Sequence, residues 1–102
     1  MAHSEPNSVI QELRAAYLKS LANKVTELGD AITARNFKTV VRLGHQMKGS
    51  GCSYGLPEIS DLGARIEDAG ENRRVSLLEP LLAEFIAYMN QTLTHQAARE
   101  KL

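Results

Sequence analysis

The chain of 102 residues has no tryptophan, one cysteine and only two phenylalanines and three tyrosines. A single cysteine excludes an internal disulfide and suits a reducing cytoplasm. With so few aromatic side chains, a core must be built mainly from Leu, Ile, Val, Ala and Met. Apolar residues make up 43% of the chain, which is enough for one core. The length and this composition predict a single domain.

An excess of charge of either sign is also missing, because twelve basic residues balance twelve acidic ones. Nucleic-acid-binding domains usually carry a basic excess, so we expect no nucleic-acid partner. The apolar runs are far too short to span a bilayer, which argues against a membrane partner. The chain opens with the polar segment MAHSEPNS, which does not resemble a signal peptide. We therefore expect a cytoplasmic protein.

Apolar residues recur at helical spacing in four segments and never alternate as they do in strands. The pattern predicts four helices, over residues 8–35, 37–54, 57–70 and 76–94. Short connections between them predict an all-α, antiparallel up-down four-helix bundle, with room for a bend near Ser20 in the first helix. We expect a flexible tail over residues 1–7 and a fraying helix end over residues 95–102.

Each predicted helix has one apolar stripe that we expect to face the core. The stripes consist of Leu13, Tyr17, Leu18, Leu21, Val25, Leu28 and Ile32; Val40, Gly44, Met47, Gly51 and Tyr54; Ile59, Leu62, Ile66 and Ala69; and Leu78, Leu81, Leu82, Phe85, Met89 and Leu93. We interpret Cys52 as a small packing residue.

Three glycines surround one histidine in the run Gly44-His45-Gln46-Met47-Lys48-Gly49-Ser50-Gly51. Each glycine inside a helix costs roughly 1 kcal/mol relative to alanine. Such a cluster suggests that something bulky must come close to His45. Helical geometry turns His45 away from the apolar stripe, so we expect an exposed imidazole with Lys48 and Gly49 on the same face.

Further cations extend this face, with Arg42 one turn before His45 and Lys38 two turns before it. The surface around the imidazole is therefore expected to be basic, with a flat spot at Gly49. This combination suits an anionic group attached to His45, because it supplies both charge compensation and room.

The turn between the second and third helices brings Glu67 to the level of His45, since both lie about 15 Å from it along their helices. A carboxylate there can accept a hydrogen bond from one imidazole nitrogen and leave the other with an outward lone pair, as a nucleophilic histidine requires. Gly63, one turn before Glu67, leaves space on this side. Glu67 could equally be an ordinary surface partner for Arg65 or Lys48.

These residues resemble the histidine phosphotransfer (HPt) domain of two-component phosphorelays. The resemblance covers about residues 8–94 and rests on a motif of fixed residue types. The motif comprises His45-Gln46-Met47-Lys48-Gly49-Ser50-Gly51, then Tyr54-Gly55, and then Ile59, Leu62 and Glu67 at matching spacing. Two departures are Gly51, where many members have Ser or Ala, and Gly44, where many have Ala. We expect Gly44 to let the second helix lie closer to a neighbour.

The resemblance implies that His45 accepts a phosphoryl group, through its outward nitrogen, from an aspartyl phosphate on a receiver domain and passes it to another receiver aspartate. Lys48, Gly49 and Glu67 would support the phosphate site, and Lys38, Arg42 and Gly63 would lie on the receiver-docking surface. The implied partners are response-regulator receiver domains and a hybrid histidine kinase. The protein would act as a monomeric carrier without turnover of its own. It would bind no cofactor or metal, and the receiver would supply the Mg²⁺.

Two other functions remain open at this point. A helical adaptor could bind a receiver or kinase domain without phosphotransfer. A metal hydrolase is less consistent with the sequence, which has no apparent second general acid or base, no glycine-rich phosphate loop and no ligand cluster. A zinc site formed by His45, Glu67 and Cys52 would lack close ligand spacing, and Cys52 is about 10 Å along the helix from His45.

Overall fold

The computed structural model describes the backbone of residues 6–100 and the side chains of residues 9 and 11–94. Four helices account for most of this part of the chain, and it contains no strand. They are α1 (Pro6–Thr33), α2 (Phe37–Ser50), α3 (Pro57–Glu71) and α4 (Val75–Glu100). Helix α1 packs on α2 and α4, and α3 packs on α2 and α4, with the most extensive contact between α2 and α3. The predicted all-α four-helix bundle is confirmed.

Buried apolar side chains from all four helices form the core, as the stripes predict. Its fully buried members include Leu21 and Leu28 from α1, Val40 and Met47 from α2, Ile59 and Ile66 from α3, and Leu78 and Phe85 from α4. Leu43, which lies beside the predicted stripe of α2, is also fully buried. The core therefore lies along the length that all four helices share.

Two leucines expected in the core are exposed instead. Leu13 in α1 is 55% exposed and Leu93 in α4 is 43% exposed. Helices α1 and α4 have 28 and 26 residues, whereas α2 and α3 have 14 and 15. At 1.5 Å per residue, α1 and α4 are each almost twice as long as α2 or α3. Leu13 therefore lies at the level of the turn between α2 and α3, beside Ser53, Tyr54 and Gly55, rather than against the packed faces of these helices.

Helix α2 ends at Ser50, four residues earlier than predicted, and a 3₁₀ turn over Cys52–Tyr54 follows it. The chain then reverses through Gly55, whose φ is 75°, while the Leu56 N–H donates to the Gly51 carbonyl at 2.9 Å. This pairing is typical of a Schellman motif. It leaves Cys52 exposed rather than packed. Tyr54 is 37% exposed rather than in the core.

The ends of α1 also differ from expectation. The helix starts at Pro6, inside the predicted tail, and continues without interruption through Ser20, where a bend was allowed. It ends at Thr33 and turns through Arg35 at φ 59°. Asn36 caps α2, because its side chain accepts a hydrogen bond from the Thr39 N–H at 3.2 Å.

The remaining predictions for the chain ends concern residues 1–5 and 95–102. Residues 1–5 lie outside the described residues, as do 101–102. Helix α4 is assigned through Glu100. The fraying of its end stays a prediction. Within the described residues, no helix is both long enough and apolar enough to cross a bilayer.

Candidate functional site

His45 stands on the outer face of α2, where helical geometry predicts it. Its side chain is 71% exposed. Nδ1 of the imidazole lies 3.1 Å from Oε2 of Glu67, which reaches across from α3. The expected contact between these two residues, 22 positions apart in the sequence, is therefore present.

Glu67 also binds a second basic side chain. Its other carboxylate oxygen, Oε1, accepts a hydrogen bond from Nζ of Lys48 at 3.1 Å. One carboxylate thus connects the imidazole and the ammonium group of α2 to α3. Arg65, the alternative partner considered for Glu67, points elsewhere and binds Asp61 and Glu84.

The cations of α2 favour the ionised form of Glu67. The hydrogen bond from Lys48 lowers the pKa of this carboxyl group most; desolvation, the next largest effect, opposes it, and the hydrogen bond from His45 lowers the pKa further. The Glu67 side chain is 17% exposed, so solvent competes only partly for its oxygens. Glu67 is therefore a carboxylate at neutral pH.

An ionised carboxylate can only accept hydrogen bonds, which decides the tautomer of a neutral His45. The hydrogen in the bond to Glu67 must lie on Nδ1 of the imidazole. Nε2 then carries the lone pair, and no hydrogen bond to Nε2 is present within the described part of the chain. The ring consequently presents an unoccupied nucleophilic nitrogen to solvent.

Gly49, one turn beyond His45, leaves the approach to the imidazole open. A Cβ built at this position would have no other atom within 4 Å. The residue is exposed. The absence of a side chain here is therefore not needed for packing within the protein.

The three residues predicted to contact a receiver lie in different surroundings. Lys38 is exposed on α2. Arg42 is half-exposed and held by α1, since its Nη2 donates to Oε2 of Glu27 at 2.7 Å. Gly63, however, is buried, and a Cβ there would overlap the backbone nitrogen of Lys48. Its placement on a docking surface is wrong, because the space beside it is filled by α2 rather than open to a partner.

One network near the site was missed by the sequence analysis. The Tyr17 hydroxyl lies 2.6 Å from Oγ of Ser50, and Ser50 donates to the Gln46 carbonyl at 2.8 Å. Because the only hydroxyl hydrogen of Ser50 is used in that bond, Tyr17 is the donor to Ser50. The Tyr17 ring also stacks on Tyr54 with centroids 4.1 Å apart. These contacts tie α1 to the end of α2 just beyond His45.

The sequence does indicate that such a network is needed, because Tyr17 lies on the apolar stripe of α1 and its hydroxyl group must find a partner in or near the core. Ser50, in the glycine-rich run of α2, is one residue that can supply it. Partial burial raises the pKa of the Tyr17 hydroxyl. A buried hydroxyl usually finds a hydrogen-bond partner. Which partner it finds depends on the register between α1 and α2.

Residues suited to metal binding are not brought together in the described part of the chain. No three His, Cys, Asp or Glu side chains there gather closely enough to hold an ion. His45 and Glu67 touch, but Cys52 lies in the 3₁₀ turn after α2. The arrangement is that of an exposed imidazole oriented by a carboxylate.

One of three comparisons with known proteins identifies the family of this chain. Searches of curated proteins and of solved structures returned no significant match. The family model described as Hpt domain matches residues 12–96. This range includes His45, Lys48, Gly49 and Glu67 and most of all four helices. The chain therefore belongs to the Hpt domain family and has a phosphotransfer-type role in phosphorelays.

Proposed function

We propose that this protein carries a phosphoryl group on Nε2 of His45 between the aspartates of receiver domains. The observation that carries the proposal is the hydrogen bond of 3.1 Å between Nδ1 of His45 and Glu67 on a ring that is 71% exposed. The bond holds the proton on the inner nitrogen. The outer nitrogen keeps its lone pair and faces the solvent, where a partner can approach.

The proposed transfer is a substitution at phosphorus. The Nε2 lone pair of His45 attacks the phosphorus of an aspartyl phosphate on the receiver, and an N–P bond forms. The bond between phosphorus and the aspartate oxygen breaks, and the aspartate leaves as a carboxylate. The ring acquires positive charge, which Glu67 stabilises through the hydrogen bond from Nδ1. Onward transfer to a second receiver reverses these bond changes.

Two neighbours of His45 support this step in different ways. Lys48 lies one turn along α2, and its Nζ is held at 3.1 Å from the carboxylate that also binds the imidazole. This supports a role for Lys48 in offsetting the negative charge of the phosphoryl oxygens. Gly49 leaves room for the receiver backbone to come close to Nε2. The Mg²⁺ of the reaction belongs to the receiver, as the resemblance to HPt domains implies.

The docking surface surrounds His45 on α2. Lys38 and Arg42 extend it toward the start of the helix and supply positive charge. The implied partner presents an anionic aspartyl phosphate, so opposite charges would meet across the contact. Arg42 must keep or exchange its ion pair with Glu27 when the receiver binds. Its contribution is therefore smaller than that of an unpaired cation.

The test is phosphotransfer from a phosphorylated receiver to the purified protein. We expect the wild type to acquire a label that is labile in acid and stable in alkali, and the variant His45→Gln to acquire none. The chain has two further histidines, His3 and His95. The variants His3→Gln and His95→Gln are matched controls and should be labelled like the wild type. Equal labelling of His45→Gln would refute the assignment.

The adaptor function predicts a different result in the same experiment. A receiver would bind the wild type and His45→Gln equally well, and neither protein would become labelled. Binding measured by calorimetry alongside labelling separates the two functions. We favour the carrier, because an adaptor has no need of an exposed imidazole held in one tautomer.

A further inference from the structure

We propose that Gly44 and Gly63 are positioning residues that allow Glu67 to reach His45. This inference rests on the proposed function, since it concerns how the phosphoryl-accepting imidazole is held. The two glycines face each other across the contact between α2 and α3, and both are buried. Gly44 directly precedes His45, and Gly63 lies one turn before Glu67.

The missing side chain of Gly44 makes room for the backbone of Glu67. A Cβ at position 44 would lie 2.6 Å from the Glu67 nitrogen and 2.9 Å from its Cα. Real Cβ atoms essentially never approach other atoms so closely. The backbone from which the Glu67 side chain starts therefore occupies the place that a side chain at residue 44 would need.

The missing side chain of Gly63 makes room for the backbone of Lys48. A Cβ at position 63 would overlap the Lys48 backbone nitrogen and lie 2.6 Å from the Gly44 carbonyl oxygen. Gly44 thus faces the backbone of Glu67, and Gly63 faces the backbone of Lys48, whose ammonium group binds the Glu67 carboxylate. Close contacts between α2 and α3 also occur at Gly51, beside Ser60, and at Gly70, beside Val40, whereas the pair of Gly44 and Gly63 lies at the level of the functional site.

A side chain at either position would lengthen the hydrogen bonds of Glu67. An ordinary Cβ contact begins at 3.4 Å, so the contact of 2.6 Å at residue 44 requires the helices to separate locally by about 0.8 Å. The same displacement would stretch the bond of 3.1 Å between Glu67 and His45 to about 3.9 Å, beyond hydrogen-bonding distance. His45 would then lose the contact that keeps its proton on Nδ1.

The decisive measurement is the tautomer of His45, read from the ¹⁵N chemical shifts of its ring in histidine-labelled protein. In the wild type we expect the Nδ1–H form to predominate at a pH where the ring is neutral. In Gly44→Ala we expect the ratio of the Nδ1–H to the Nε2–H form to fall by roughly two- to fivefold, as the loss of a partly solvated hydrogen bond implies. Phosphotransfer to this variant should slow in parallel.

Gly29→Ala is the matched control. It makes the same substitution inside α1, where a Cβ would meet only the tip of Leu82 at 3.6 Å, an ordinary contact. Its tautomer ratio and its phosphotransfer should equal those of the wild type. A folded Gly44→Ala protein with an unchanged tautomer ratio would overturn the proposal.

A second variant covers the case in which Gly44→Ala does not fold. Glu67→Asp keeps both glycine contacts but withdraws the carboxylate by one methylene group. If the tautomer depends on how far the carboxylate of residue 67 extends from α3 toward His45, the ratio of the Nδ1–H to the Nε2–H form should fall in this variant as well. An unchanged ratio in Glu67→Asp would refute the positioning role.

These outcomes are separate from those that test the carrier function. A wild type that no receiver can label would refute the proposed function, whereas the tautomer comparison needs no receiver. Conversely, normal labelling of the wild type with unaltered tautomers in Gly44→Ala and Glu67→Asp would leave the carrier intact and remove the positioning role.

Discussion

Alanine at position 49 should make the protein more stable and a poorer phosphoryl acceptor. The added methyl group would meet no atom within 4 Å, so it creates no clash inside the bundle. Replacing glycine in a helix then stabilises the fold by about 0.5–1 kcal/mol. For a domain of this size that gain raises Tm by roughly 2–8 °C.

The effect of Gly49→Ala on transfer has a different origin. The methyl group would lie on the same exposed face of α2 as His45, one turn further along, where the proposed receiver approaches. Crowding a packed interface by one methyl group typically costs about 1–3 kcal/mol. The second-order rate of transfer should therefore fall by roughly 5- to 150-fold.

Thermal unfolding followed by circular dichroism and rapid-quench phosphotransfer from one receiver test both halves of this prediction. Gly29→Ala is again the control, because it should raise Tm without changing the rate of transfer. A Gly49→Ala protein that is more stable and accepts phosphate at the wild-type rate would refute the crowding argument. A loss of stability would show that the space around residue 49 is not open.

Two further predictions concern stability against pH. The lowered pKa of Glu67 means that its ionised form stabilises the fold above the ordinary value of 4.5, and this stabilisation is lost as the pH falls through the lowered value. Glu67→Gln should therefore lose stability at pH 7 and show a flatter decline of Tm in acid than the wild type; parallel declines would contradict this. Tyr17→Phe should cost about 1 kcal/mol in urea unfolding, since it removes the bond of 2.6 Å to Ser50. Because burial raises the pKa of Tyr17, its protonated form stabilises the fold below pH 10, and this stability declines as the pH rises through the raised value. The variant should show a shallower alkaline decline, because Tyr88, whose pKa burial also raises, still contributes; a decline as steep as that of the wild type would show that Tyr17 does not contribute to it.

The helices and the pairing of His45 with Glu67 could be predicted because both follow from regular geometry. Apolar spacing marks the face of each helix, and residues at equal distances from a tight turn lie side by side. This arithmetic does not depend on which side chains fill the core. It therefore placed two residues 22 positions apart in contact without any knowledge of packing.

Predictions that required knowledge of the neighbouring helices were less successful. Leu13 and Leu93 fit the apolar stripes, but a local pattern does not reveal how far α2 and α3 extend beside them. Tyr54 fits the stripe of α2 as well. The hydrogen bonds around Gly55 end the helix before it, and its ring stacks on Tyr17 instead.

Gly63 illustrates the same difficulty at the functional site. Glycine indicates that space is needed, but the sequence does not say whether solvent, a partner or the protein's own backbone occupies it. At Gly49 the space is open, whereas at Gly63 the backbone of α2 fills it. The two glycines look alike in the sequence and differ only in which way they face.

The sharing of one carboxylate by an ammonium group and an imidazole has a consequence for the lifetime of the modified protein. Glu67 and Lys48 offset each other's charge, so the cluster is close to electrically neutral whenever the imidazole is neutral. A phosphoryl group on Nε2, as proposed, would share Lys48 with Glu67, so its negative charge would be offset only in part. We expect this incomplete compensation to favour transfer of the group to a receiver over its retention on His45.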